Sequence, residues 1–161
     1  MKHIVHPFEF DEYPSSLELD PSDQELLEAA RRATATSYAP YSHYYVGAAV
    51  KLENGTIVTG SNQENISFPA GLCAERVALF AAVSKYPGVA IESIAITAKA
   101  ENFEVPDPVS PCGICRQAIA EYEMKFDRKI RILLSGEKGK VLAIESMEFL
   151  LPLMFREKGL L

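Results

Sequence analysis

Residues 91–134 read IESIAITAKAENFEVPDPVSPCGICRQAIAEYEMKFDRKIRILL. The first part alternates: Ile94, Ile96 and Ala98 fall on one face, which predicts a strand over Ile91–Lys99. Residues 101–111 form a loop rich in proline and acid. A helix starts at about Cys112 and reaches Met124, and Lys129–Leu134 reads as a strand again. A helix between two strands implies a parallel crossover, so this segment points to an α/β fold.

Working outward, Tyr44–Leu52 reads as a strand, Asn54-Gly55 as a two-residue hairpin turn, and Thr56–Gly60 as the returning strand. The hairpin makes the sheet mixed. After a turn over Gly136–Gly139, Val141–Ile144 is a short strand, and the tail carries a short helix. Asp20-Pro21-Ser22 opens a helix whose apolar face is Leu26, Leu27, Ala30 and Ala33. That helix should fade near Tyr38, because Pro40 disfavours helix in the residue before it. A further helix runs from near Cys73 to Pro87-Gly88. The expectation is a three-layer α/β/α sandwich with a mixed sheet of about five strands. Residues 1–20 read as an N-terminal extension packed on the domain, with an edge strand around His3-Ile4-Val5 and Phe8–Phe10. Residues 21–161 read as a single domain.

The 161 residues suffice for one domain with a real core. A net charge of −6 argues against nucleic acid as the main partner and fits a small-molecule substrate better. No apolar run approaches a membrane span, and no basic-then-apolar leader opens the chain, so the expected location is the cytoplasm. Three cysteines, Cys73, Cys112 and Cys115, are an odd number in a chain with no export signal, which disfavours a disulfide framework.

All three cysteines fall in two short motifs. In Pro111-Cys112-Gly113-Ile114-Cys115 the two cysteines are three apart, on one face of a helix, so both thiolates can reach one metal. The helix start favours thiolate over thiol. Alone, the pair also suits a redox dithiol or half of a structural zinc knuckle. A structural site needs four closed ligands, and His3, His6 and His43 have no ligand spacing. Three thiolates with an open fourth position match a catalytic zinc. In Cys73-Ala74-Glu75-Arg76, residues two apart cannot both approach a metal from mid-helix. They can if Cys73 sits in the irregular first turn, after Phe68-Pro69-Ala70-Gly71. Glu75 is then a proton carrier beside the metal. A cysteine in an apolar stretch is usually core and a helix glutamate is usually solvated. One scheme that uses all three cysteines and the glutamate is far less expected by chance.

Cys-Ala-Glu followed by Pro-Cys-x-x-Cys resembles the zinc deaminases of nucleosides and bases. The all-cysteine form with Arg after Glu is similar to the small homotetrameric cytidine deaminases, over roughly residues 22–155. Tyr38–Ala49 resembles that family's first strand, Asn62-Gln63-Glu64-Asn65 its ribose-binding loop, and Leu150–Phe155 its tail.

The resemblance implies hydrolysis of cytidine and deoxycytidine to uridine and deoxyuridine plus ammonia, in pyrimidine salvage. It implies one Zn²⁺ per chain on Cys73, Cys112 and Cys115, which activates water. It further implies Glu75 as the catalytic proton carrier and Arg76 as a partner of the cysteine sulfurs. Substrate contacts would come from Asn62 and Glu64 on the ribose 3′-hydroxyl, the Ala74 N–H on the base O2, and the Ser110 carbonyl on the amine. Tyr44 would stack near the base, and Phe155 would do so from a neighbouring subunit of a homotetramer. Tyr44 stands where the family usually has phenylalanine, and Gln63 where it usually has isoleucine.

Three other readings compete. One is a deaminase of another aminated nucleoside, such as blasticidin S. The second is a polynucleotide-editing deaminase, which the acidic charge disfavours. The third is a non-catalytic zinc-binding module, which has no need of Glu75.

Overall fold

The computed structural model describes residues 1–157; residues 158–161, the end of the expected domain, lie outside the described residues. Nine regular elements follow in order: β1 (Asp11–Tyr13), α1 (Pro21–Ala33), β2 (Tyr44–Leu52), β3 (Ile57–Ser61), α2 (Ala74–Lys85), β4 (Ile91–Ala100), α3 (Gly113–Phe126), β5 (Arg131–Ser135) and β6 (Val141–Ile144). The strands form one sheet in the order β1-β6-β5-β4-β2-β3. Only β4 and β5 run parallel, joined by the α3 crossover; every other pair is antiparallel.

The alternation of strand side chains creates two cores. Ala48, Val50, Leu52, Ile94, Ile96, Ile132 and Leu134 face α2 and α3. Ala49, Ala95, Leu133 and Ala143 face Leu26, Leu27 and Ala30 of α1. The result is the expected three-layer α/β/α arrangement. Two glycines set how closely the layers approach. A Cβ on Gly47 would lie 2.0 Å from the Ala30 carbonyl oxygen of α1, and one on Gly60 would lie 2.4 Å from the Ala78 nitrogen of α2. Each helix therefore rests directly on strand backbone, and the start of α2 is seated against β3.

The sheet has six strands rather than about five. The sixth is β1, which pairs with β6 through Asp11↔Ala143, Glu12↔Leu142 and Tyr13↔Val141. It lies just after the expected edge strand: residues 1–10 are exposed and carry no regular structure. A three-residue strand holds only because its partner, some 130 residues on, offers a free edge. The first helix also stops earlier than the proline suggested. The Thr34 and Thr36 hydroxyls donate to the Arg31 and Ala33 carbonyls at 2.8 and 2.9 Å, and a short 3₁₀ turn over Thr34–Thr36 follows α1. The tail helix is a single 3₁₀ turn, Met147–Phe149.

Candidate active site

The two cysteine motifs meet at two helix starts. Cys73 is the N-cap of α2, with extended backbone (φ −71°, ψ 151°), and Cys112 is the N-cap of α3 (φ −67°, ψ 165°). Cys115 lies in the first turn of α3 and is buried. Because Cys73 precedes the helix proper, Glu75 can share its neighbourhood; Glu75 is only 4% exposed. The three sulfurs lie within 4.8 Å of one another. A tetrahedral zinc with bonds of about 2.3 Å places its sulfurs about 3.8 Å apart. Cys73 and Cys112 are 3.9 Å apart, Sγ to Sγ. Three thiol donors at this spacing fit the metal, and a carboxylate beside them that is not among the clustered ligand atoms fits a proton carrier.

The electrostatics of the cluster favour one thiolate, at Cys73, and keep the protons on its two buried neighbours, Cys115 and Glu75. The Cys73 thiol is drawn down to about 5, because Cys115 donates to it, and Arg76 and Cys112 add hydrogen bonds that outweigh burial. Cys115, as donor in that pair and buried besides, is pushed well above the ordinary thiol range. Arg76 reaches Cys73 Sγ through Nη2 at 3.9 Å, while its buried Nε has no partner among the described residues. Burial pushes the Glu75 carboxyl above its ordinary value, and the nearby Cys73 adds to that push.

Beside the sulfurs opens a cavity of about 580 Å³. Cys73, Cys112 and Glu75 line one end. Tyr41, Ser42, Tyr44, Asn62 and Glu64 line the other, and Val46, Ile96 and Val109 supply apolar lining. Ser110 is on the wall next to Cys112. Ala74 opens α2, so its N–H belongs to a first turn whose amides lack partners within the helix.

Asn62 is fixed by β2: its Oδ1 accepts from the Val46 N–H at 2.8 Å, and its Nδ2 donates to the Tyr44 carbonyl at 2.9 Å. One amide hydrogen is left over. Glu64 Oε2 accepts from the N–H groups of Tyr41 and Ser42 at 2.9 and 3.3 Å. Burial opposes ionisation of Glu64, but hydrogen bonds from Ser42 and Tyr41, with His43 nearby, hold its carboxyl below the ordinary value. Gln63 also lines the cavity, but its Nε2 is engaged, donating to Ser61 Oγ and to the Thr36 carbonyl. No lysine, arginine or histidine lines the cavity among the described residues.

Residues 20–127 match the family described as the cytidine and deoxycytidylate deaminase zinc-binding region. The chain belongs to this family. A cytidine deaminase of Sporosarcina psychrophila is 44% identical over 119 residues, which span 73% of this chain and 80% of the relative. A crystal structure of cytidine deaminase from Burkholderia pseudomallei superposes with a TM-score of 0.70 at 36% identity, covering 81% of this chain and 97% of that one. A blasticidin-S deaminase of Bacillus cereus is 30% identical over 136 residues, 83% of this chain and 91% of the relative.

Of the residues singled out in the sequence, ten gather around the sulfurs and the cavity. Phe155 does not: it is 71% exposed and lies with Arg76, Phe80 and Ile114 along the outer face of α2 and α3. Its main chain is held there by Gln117, which accepts from the Phe155 N–H at 3.1 Å and donates to its carbonyl at 2.8 Å. Arg116 was not anticipated. It donates to the carbonyls of Pro111 and Leu150, each at 2.9 Å, and so ties the segment before Cys112 to the tail. Its place directly after Cys115 was the available signal.

Proposed function

We propose that the protein hydrolyses the exocyclic amine of cytidine and deoxycytidine, giving uridine or deoxyuridine and ammonia. The observation that carries this reading is the three-thiol cluster with a buried glutamate at one end of a cavity sized for a nucleoside. The family match and the cytidine deaminases among the relatives support it. Cys73, Cys112 and Cys115 hold one zinc per chain, which supplies a Lewis acid that acidifies water. Glu75 takes the proton of the attacking water and delivers it to N3 of the base as the C4–O bond forms. It then takes the remaining hydrogen of the new C4 hydroxyl and passes it to the amine, so that the C4 carbonyl forms as the C4–N bond breaks and ammonia leaves. Arg76 offsets the negative charge of the thiolates through Cys73.

In this reading the Ala74 N–H meets the base O2 and the Ser110 carbonyl accepts from the amine, which fixes the base against Glu75. Tyr44 stacks near the base. Asn62 and Glu64 take the ribose 3′-hydroxyl, the first with its remaining amide hydrogen and the second as an acceptor. A wall with an ionised carboxylate and no cation favours a neutral nucleoside over a nucleotide, whose phosphate would lie unpaired. The chain assembles as a homotetramer in which Phe155, turned outward here, enters a neighbour's cavity. It serves pyrimidine salvage in the cytoplasm. No helix among the described residues is long and apolar enough to cross a membrane.

Ammonia release from cytidine, deoxycytidine, CMP and blasticidin S tests the reading. The two nucleosides should be turned over and CMP should not. Blasticidin S as the sole substrate would favour the second reading, which rests on the relative aligned over 83% of this chain.

A further inference from the structure

The loop over residues 101–111 lends Val109 and Ser110 to the cavity. Phe103, nearer its start, is 60% exposed and does not line the cavity, so the reading above gives it no task. Its ring nevertheless lies nearly parallel to that of Tyr44, with centroids 6.2 Å apart and planes 19° apart, an offset stack. Tyr44 does line the cavity, and its hydroxyl makes no hydrogen bond to any described residue. The ring therefore has no polar anchor.

The base of the loop is anchored. Glu101 Oε2 meets His43 Nδ1 at 2.9 Å and accepts from the Tyr45 hydroxyl at 3.2 Å. The Glu101 N–H donates to the His43 carbonyl at 3.2 Å. His43 stands in the left-handed region (φ 52°), where the chain turns between Ser42, a donor to Glu64, and Tyr44. Glu101 thus binds the residues on both sides of Tyr44, and Phe103 follows two positions later with its ring over Tyr44.

We propose that Phe103 is a positioning residue for substrate binding: held by the Glu101 clamp, it backs the Tyr44 ring and fixes the flat wall against which the pyrimidine packs. This rests on the nucleoside deaminase reading. Phe103 touches no reacting atom, so its removal should weaken binding and leave the chemical step alone.

The test is steady-state kinetics on cytidine for wild type, Phe103→Ala, Phe103→Tyr, Tyr44→Ala and the Phe103→Ala/Tyr44→Ala double variant. Bound zinc and thermal midpoint are read on each sample. Phe103→Ala should raise KM roughly 3- to 10-fold, the worth of one aromatic contact, with kcat, zinc and midpoint unchanged. Phe103→Tyr keeps the ring and should restore KM. In the Tyr44→Ala background, removing Phe103 should change nothing further. An active wild type whose KM is untouched by Phe103→Ala overturns this proposal alone, as does an effect that persists undiminished without Tyr44. A zinc-loaded wild type that releases no ammonia overturns the deaminase reading and this proposal with it.

Discussion

The two ends of the cavity are built differently. At the sulfur end, Cys73 and Cys112 cap two helices, Cys115 and Glu75 sit in the first turns, and α2 is pressed onto Gly60 with no room for a methyl group. At the other end, Asn62, Glu64 and Tyr44 are held by hydrogen bonds between loop and strand, and by a loop whose own anchor is the Glu101 pair. Reacting groups on packed helix starts have little freedom, and groups on loops can vary without disturbing the core. On the proposed reading, this difference assigns rate to the first end and substrate choice to the second.

Substitutions can break that division. The largest effect should come from Cys115→Ala, which removes the buried thiol of the cluster: bound zinc and turnover should both disappear, read by metal analysis and ammonia release. Asn62→Ala should act on the other end, raising KM for cytidine about tenfold or more, the worth of one or two hydrogen bonds, while zinc stays bound. If kcat fell with KM unchanged, the two ends would not be separable as described.

Gly60→Ala should damage the sulfur end through the scaffold. The added Cβ would meet Ala78 N and Ala74 O, so unfolding should cost about 2–3 kcal/mol less in denaturant melts, with weaker zinc retention. Gly55 has open space around its Cβ position, so Gly55→Asn, a residue that tolerates its φ of 81°, is the control that should leave zinc binding alone.

The smallest effect lies away from the cavity. Glu123 accepts from the Ile130 and Met147 N–H groups and from the Ser146 hydroxyl, yet burial still lifts its carboxyl above the ordinary 4.5. The folded state then holds that proton more tightly than the unfolded state. Its contribution is full below 4.5 and declines as pH rises through the folded value. Glu123→Gln keeps both N–H bonds and can donate to Ser146 Oγ. It should flatten this part of the stability–pH curve without altering activity.

Much of the sulfur end was legible in the sequence because its signals are local. Two cysteines three apart behind a proline, and a glutamate two after a third cysteine, carry their own geometry. The strands β2, β4 and β6 were legible through alternation and the Asn54-Gly55 turn. What the sequence hid depends on distant partners. β1 is a strand only because β6 accepts it, and α1 ends where threonine hydroxyls reach back to its carbonyls. Arg116 and Phe103 gain their importance from Leu150 and Tyr44, contacts that no local pattern encodes. Gln63 stood inside the ribose-loop motif, yet its side chain serves Ser61 and Thr36.

The most direct test is Glu75→Ala, with zinc content, fold and ammonia release from cytidine measured on the same sample beside wild type. The account predicts zinc near one per chain in both, unchanged melting, and a loss of kcat of about 10²–10⁴-fold, the share of positioned acid–base catalysis. Turnover close to wild type would contradict it, because the other carboxylate lining the cavity among the described residues, Glu64, is engaged by the Tyr41 and Ser42 N–H groups.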